Sequence, residues 1–351
     1  MAVSRVMVAV SGGVDSSATA ALLKETGYDC SGVFMITHDE AQPAQLDAEA
    51  VCHHLKIPFY TLDLRPDFQR DIISCFCDEY RHGRTPNPCV LCNRLIKFGK
   101  LWAFAREKGA DFIATGHYAK KLCVEGQHGI YQADTIAKDQ SYVLSMIRRE
   151  VLPHILLPMA EFSKDQTRKI AAHYALLTEH KEDSQEICFI PNDDYIGMLH
   201  QWVPDIDRPG DVLDTTGNVL GRHEGICRFT IGQRRGLRIA MGKPMYVVSI
   251  DAERNTVTLG EKADLYHSAL LAESVNWLMD IAAEPFEAIV KIRYNHCGAA
   301  GRVIPDFNGR QIRIEFNEPV SAITPGQAAV IYRPTVSGLQ VVGGGWIRTV
   351  L

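Results

Sequence analysis

Val6-Met7-Val8-Ala9-Val10 runs directly into Ser11-Gly12-Gly13-Val14-Asp15-Ser16-Ser17: an apolar β-type run, a glycine turn, and then a helical stretch over residues 16–25. Two glycines let backbone amides approach phosphate oxygens, and the serines add hydroxyl donors at a helix N-terminus, which already favours anions. Asp15 would be a poor phosphate neighbour alone, but it makes sense as a ligand for a magnesium ion that bridges phosphates. The glycines carry no Walker lysine, so a P-loop NTPase is excluded. A bare Gly-Gly is often only a turn before a helix cap; the whole heptapeptide between a strand and a helix points to a phosphate cradle.

Working outward, the first 115 residues alternate β-type runs (6–10, 32–36, 59–64, 112–114) with helical ones (16–25, 47–55, 68–80, 95–108). That alternation predicts an α/β fold, with a parallel sheet covered by helices on both faces. Ligands of such sheets lie beyond the carboxyl ends of the strands, so the loops after Val10, Ile36 and Ala114 should share one crevice. Residues 151–202 read as helical, with Ser163 and Asp165 as caps for residues 166–175. Beyond Pro204, short β-rich segments separated by turn residues at 214–217, 251–255, 307–309 and 324–326 predict small all-β modules.

With 351 residues, 46% of them hydrophobic, two or three domains are expected. No apolar run reaches the length of a membrane span, and Met1 to Arg5 leads straight into the first strand, so neither a membrane segment nor a targeting peptide is expected. Ten cysteines then imply a reducing compartment, the cytoplasm, where any disulfide would be transient. A net charge of -5 argues against indiscriminate nucleic-acid binding. One local exception is residues 221–243, where Arg222, Arg228, Arg234, Arg235, Arg238 and Lys243 face a single acid, Glu224.

Thr85-Pro86-Asn87-Pro88-Cys89-Val90-Leu91-Cys92-Asn93 reads as a proline-stiffened loop carrying a Cys-x-x-Cys, ahead of a helix beginning near Leu95. The nearby helix N-terminus, Arg94 and Lys97 would favour a thiolate at Cys92. A second candidate is Cys188 in Lys181-Glu182-Asp183-Ser184-Gln185-Glu186-Ile187-Cys188-Phe189. Two such thiols permit a sulfur relay, one carrying a persulfide and the other assisting its release. A structural zinc would need two further ligands, and Cys75 and Cys77, which could supply them, fall in a helical stretch. Cys30, Cys52, Cys123, Cys227 and Cys297 are most simply small buried hydrophobes.

The glycine loop resembles the PP-loop of ATP pyrophosphatases, which cleave ATP between the α and β phosphates to adenylate a substrate oxygen. Taken with the Thr-Pro-Asn-Pro-x-x-x-Cys-Asn and Ile-Cys-Phe-Ile segments, the chain resembles the tRNA-specific 2-thiouridylases nearly end to end. Further matching segments are Ala114-Thr115-Gly116-His117-Tyr118, Lys138-Asp139-Gln140-Ser141-Tyr142, residues 229–237, Lys291-Ile292-Arg293-Tyr294 and Thr324-Pro325-Gly326-Gln327-Ala328. The resemblance implies that Ala9, Val10, Ser11, Gly12, Gly13, Val14, Asp15, Ser16, Met35 and Gly116 line an ATP site. It sets Asn87, Pro88 and Cys89 against the target base, and His117, Lys138, Asp139, Gln140, Arg293, Tyr294 and Gln327 against tRNA. Cys92 takes the nucleophile position and Cys188 the persulfide position, with Asp15 the third catalytic residue.

The family architecture implies a PP-loop catalytic domain over residues 1–203, a central β-rich tRNA-contacting domain over 204–270 and a C-terminal β-barrel over 271–351. The implied cofactors are ATP and magnesium; the implied partners are tRNA for Lys, Glu and Gln and a sulfur donor, either a persulfide relay protein or a cysteine desulfurase. Cys89 stands where some family members have Asp, which leaves two chemistries open. Either Cys92 and Cys188 work as a persulfide pair, or Cys89, Cys92 and Cys188 hold an iron-sulfur cluster. Two other functions compete: a PP-loop enzyme adenylating a small molecule, as argininosuccinate synthase and GMP synthetase do, and an RNA-binding module with a vestigial nucleotide site.

Overall fold

The computed structural model describes residues 3–179, 181, 187–237, 239, 242–306 and 310–351. Met1, residues 182–186 ahead of Cys188, Arg238 of the basic segment and the turn at 307–309 lie outside them. The chain forms two compact units, one of Met1–Asp71, Cys89–Gln185 and Arg333–Val342, the other of Ile72–Pro88, Glu186–Tyr332 and Gly343–Leu351.

The first unit holds strands β1 (Arg5–Ala9), β2 (Asp29–Ile36), β3 (Phe59–Asp63), β4 (Phe112–Ala114), β5 (Lys120–Val124), β6 (Gln127–Tyr131) and β7 (Ile155–Leu156). Five of them form a sheet in the order β3-β2-β1-β4-β7, with every pairing parallel. Val6, Val8 and Val10 are buried with Ala20, Leu23, Val51 and Cys52 of the helices Val14–Glu25 and Gln42–His54. Each such apolar side chain contributes on the order of 1.5–3 kcal/mol when fully buried. Because the chain moves one way from β1 to β3 and the other way to β4, the crevice of the switch lies above β1 and β4.

Two expectations for this unit need correction. Residues 151–202 are not continuously helical: β7 joins the sheet edge, pairing Ile155 with Ile113, and the α-helices in this range are Lys164–His173 and, in the second unit, Tyr195–Trp202. Pro153 and Pro158 break the pattern, which is why apolar spacing alone misled. The hairpin of β5 and β6 was not anticipated; it turns at Glu125 and Gly126, whose φ values of 52° and 78° suit a tight two-residue connection.

In the second unit β8 (Gly210–Asp214), β9 (Val219–His223), β10 (Tyr246–Asp251) and β11 (Thr256–Gly260) form a sheet in the order β10-β11-β8-β9, antiparallel except between β11 and β8. Val212, Phe229, Val247, Val257 and Leu259 make its core. Then β12 (Tyr266–Trp277), β13 (Phe286–Lys291), β14 (Ala299–Pro305), β15 (Gln311–Ser321), β16 (Ala328–Thr335) and β17 (Gly338–Val350) follow in the order β12-β15-β14-β13-β16-β17, with Arg333–Val342 counted in the first unit. Pairing of β17 back onto β12, from Leu270 with Val350 to Trp277 with Gly343, closes these six into an antiparallel barrel. Among the described residues no helix is long and apolar enough to cross a membrane.

Candidate active site

The helix Val14–Glu25 begins after Gly13, which is extended, and no side chain caps it; its first amides are therefore left for a ligand. Ser16 and Ser17 are buried, and their hydroxyls donate to the Gly13 carbonyl at 3.0 and 2.9 Å, while the Ser11 amide donates to Ser16 Oγ at 3.0 Å. These serines hold the loop in shape from within; Ser11 faces outward. Gly12 has φ +75°, and a Cβ there would lie 2.4 Å from the Ala44 carbonyl oxygen, so the loop closes against the helix after β2 only because the residue is glycine. Lys181 Nζ donates to the Gly12 carbonyl at 3.0 Å and also reaches Asp47.

Asp15, in the first turn of the helix, is gripped by two groups. Lys164 Nζ donates to Oδ1 and Oδ2 at 2.7 and 2.8 Å, and the Tyr118 hydroxyl donates to Oδ1 at 2.6 Å. Tyr118 is buried, and its oxygen also lies 2.9 Å from Thr167 Oγ1. Gly116 brings the loop after β4 onto the same spot: a Cβ there would sit 2.9 Å from the Asp15 carbonyl carbon and the Ser16 nitrogen. The loop after β1 thus touches both the loop after β4 and the helix that follows β2. Met35, half-buried on β2, pairs with Leu62.

Lys164 was not singled out from sequence. It opens the helix Lys164–His173, whose N-cap Ser163 makes a capping box with Gln166. Ser163 was read as a cap, but nothing local says that the next lysine turns toward a carboxylate 149 residues earlier.

The Cys-x-x-Cys is not in a loop. Helix Pro88–Cys92 continues through a π-helical stretch, Asn93–Leu101, into Trp102–Glu107. Pro88 suits a first helical position because its missing N–H would have had no partner there. Cys92 is half-buried; Cys89 is exposed, yet the protein around its sulfur pushes the thiol above its usual range, with Lys97 pulling it back. Asn93 is buried and donates to the Val143 carbonyl at 3.1 Å.

His117 is buried, its Nδ1 lies 2.8 Å from Thr115 Oγ1, and burial together with Lys97 holds its pKa well below the usual value. Asp139 is 5% exposed and accepts from the Ala133 and Ser141 amides and the Ser141 hydroxyl at 3.0, 3.1 and 2.8 Å. Gln140 accepts from the Tyr118 amide at 3.0 Å, and Lys138 is half-buried beside them. Gln140 therefore braces the loop that carries Tyr118, and Asp139 holds the turn between Ala133 and Ser141.

In the second unit Asn87 is half-buried and Pro88 buried, whereas Arg293, Tyr294 and Cys188 are exposed. Phe189, next to Cys188, packs edge-on against Phe76 with ring centroids 5.4 Å apart. Gln327 donates to the Thr85 and Pro86 carbonyls at 2.9 and 3.1 Å. Of the basic segment, Arg228 pairs with Asp207 and Glu224, Lys243 with Glu261 and Arg222 with Asp211; Arg234 and Arg235 are exposed.

Three family models cover the chain in order: a tRNA methyl transferase HUP domain at residues 4–192, a tRNA methyl transferase PRC-barrel domain at 198–261 and an aminomethyltransferase beta-barrel domain at 267–347. The tRNA-specific 2-thiouridylase MnmA of Halothermothrix orenii is 42% identical over 98% of this chain and 99% of its own, and that of Moorella thermoacetica is 45% identical over 98% and 99%. The chain belongs to the tRNA-specific 2-thiouridylases. Pelobacter propionicus supplies another 2-thiouridylase at 44% identity over 99% of this chain and 98% of its own. The family models are named for methyl transfer and the 2-thiouridylase relatives for thiolation; the phosphate loop and the cysteines fit the second name. Among solved structures, a 4-thiouridine synthetase–RNA complex with bound ATP aligns with 57% of this chain and 51% of its own at a TM-score of 0.35 and 16% identity, a likeness too distant to carry weight beside the 2-thiouridylase matches.

Proposed function

We propose that this enzyme 2-thiolates the wobble uridine of tRNA, adenylating the uracil 2-carbonyl with ATP and replacing its oxygen with cysteine-borne sulfur. The observation that carries the reading is the Asp15 centre: an uncapped helix start, a glycine loop closed on it, and a carboxylate that already holds an ammonium ion. ATP would lie with its phosphates along Ser11–Ser17 and its remainder over Ala9, Val10, Met35 and Gly116. Asp15 would serve magnesium as a carboxylate ligand once the Lys164 ammonium, which now holds both of its oxygens, has moved to a phosphate; bound there, the ion would neutralise phosphate charge.

The residues then divide the work. The uracil oxygen attacks the α-phosphorus, pyrophosphate leaves, and carbon 2 carries AMP as a leaving group. The terminal sulfur of a Cys188 persulfide attacks carbon 2 and AMP departs. Cys92 thiolate attacks the remaining Cys188 sulfur, forming a Cys92–Cys188 disulfide and releasing the thiocarbonyl, so the oxidised thiols balance the reduced sulfur. A thiol reductant resets the pair, and a persulfide relay protein or cysteine desulfurase reloads Cys188. No three His, Cys, Asp or Glu side chains are gathered to hold a metal among the described residues, and no step is routed through an iron-sulfur cluster. We assign catalysis to residues 1–203, tRNA contact chiefly to 204–270 and the barrel to 271–351, in a cytoplasmic setting.

The test is nucleoside mass spectrometry on tRNA treated with ATP, magnesium and a cysteine desulfurase with cysteine. Cys92→Ser and Cys188→Ser should each abolish 2-thiouridine while ATP still binds, and Asp15→Ala should block adenylation. Thiolation at the parent rate by either serine variant would overturn the sulfur assignment.

A further inference from the structure

Three segments that stand far apart in sequence meet in the second unit around Thr85. The Thr85 amide donates to the Pro325 carbonyl at 2.9 Å, and Gln327 Nε2 donates to the Thr85 and Pro86 carbonyls at 2.9 and 3.1 Å. The Thr85 hydroxyl donates to Thr230 Oγ1 at 3.1 Å, and the Thr230 amide in turn donates to Gln233 Oε1 at 3.0 Å. Gly326, at φ +91°, lies so close that a Cβ would be 2.9 Å from the Thr85 oxygen and 3.0 Å from its nitrogen and carbonyl carbon. The turn itself is anchored, because Gly326 N donates to Ile347 O at 3.0 Å and Ile347 N to Gln327 O at 2.8 Å.

The composition of the clamped segment explains the arrangement. Pro86 and Pro88 have no N–H, so residues 85–88 cannot build a ladder of their own, and their carbonyls need donors from elsewhere. A glutamine amide has two N–H donors, and here they meet two successive carbonyls. We propose that Gln327 is a positioning residue: with Gly326 and Thr230 it latches the Thr85-Pro86 backbone, and so fixes Asn87 and the start of the helix that carries Cys89 and Cys92. This deepens the thiolation reading, on which its kinetic arm rests.

Gln327→Glu keeps the shape but turns an acceptor toward two carbonyls, and Gly326→Ala drives a methyl into the Thr85 backbone. On the full chain, each variant should lower kcat for thiolation about tenfold, as expected when reacting groups are misplaced by a fraction of an ångström, with tRNA affinity within about twofold of the parent. Hydrogen exchange of the Thr85 amide should rise by at least about tenfold in the free enzyme. A loss of tRNA affinity with kcat at saturation unchanged would make Gln327 a reader of tRNA and overturn the proposal, as would unchanged exchange at Thr85. The exchange measurement needs no turnover, so a parent enzyme that fails to thiolate would sink the functional reading and leave the latch to be judged by exchange.

Discussion

The ammonium of Lys164 stands 2.7 and 2.8 Å from the two carboxylate oxygens of Asp15, and neither side chain is more than a third exposed. A phosphate loop without a lysine of its own thus has one delivered to it by a helix that begins 149 residues later. When polyphosphate and a divalent cation arrive, the ammonium is placed to exchange the carboxylate for a phosphate oxygen. Lys164→Met should therefore raise the ATP concentration for half-maximal adenylation about tenfold, the worth of one charge-assisted hydrogen bond. In urea melts without ATP, the double-mutant cycle with Asp15→Asn should give a coupling of about 1–2 kcal/mol. Additive single effects in both assays would remove Lys164 from the site.

His117 offers a pH signature with a definite sign. Its folded pKa is depressed by burial first and by Lys97 second, so below the ordinary value of about 6.5 the unfolded chain takes a proton that the folded chain refuses. The stability at stake is full above that pH and is lost as pH falls through it. His117→Gln should flatten the acid-side slope of unfolding free energy by up to about 1.4 kcal/mol per pH unit. Equal slopes for parent and variant between neutral and mildly acid pH would show that His117 titrates normally.

The cysteines should sort by reactivity. Burial pushes the thiols of Cys30 and Cys77 up to about 11 and those of Cys52 and Cys227 up to about 12, so these four stay protonated and unreactive in the native state. Cys89, though exposed, is also raised. Iodoacetamide at neutral pH, followed by peptide mass spectrometry, should leave the buried four unmodified, and Cys89→Ser should thiolate at close to the parent rate. Rapid native labelling of Cys52 or Cys227 would contradict the packing described for them.

Arg234 and Arg235 are exposed, whereas Arg222, Arg228 and Lys243 of the same basic segment are paired with carboxylates. Neutralising the two exposed arginines should lower the slope of log affinity for tRNA against log salt by up to about 2, one counterion for each phosphate that the protein no longer neutralises. An unchanged slope would take them off the RNA-binding surface.

The parts of this protein that could be read in its sequence are those whose physics is local. Val6 to Ser17 announces strand, turn and helix because apolar alternation, glycine and hydroxyl donors follow one another without a gap, and the structure has β1, the Gly12 turn and the helix Val14–Glu25 there. The helix start at Pro88 was hidden because two prolines in four residues look like a loop, although proline is well suited to a first helical turn. Strand β7 has only two residues, and no periodicity can reveal so short an element. Lys164, and the partners of Gln327, were illegible for a different reason: an ordinary helix-start lysine and a turn glutamine find their carboxylate and carbonyls only when the fold brings these to them. The burial of Asp139 and His117 among their own backbone and side-chain partners was likewise not legible, since those partners too are supplied by the fold.

The closure of the barrel by β17 sets an order on biogenesis. Leu270 waits for Val350, and the turn that grips Thr85 is itself pinned by Ile347, so a nascent chain still held in the ribosome short of these residues has neither a sealed cylinder nor a clamped proline segment. The hold on Thr85 therefore rests on residues placed late in the chain, and a change that loosens the turn at Ile347 should be felt at the Thr85 amide.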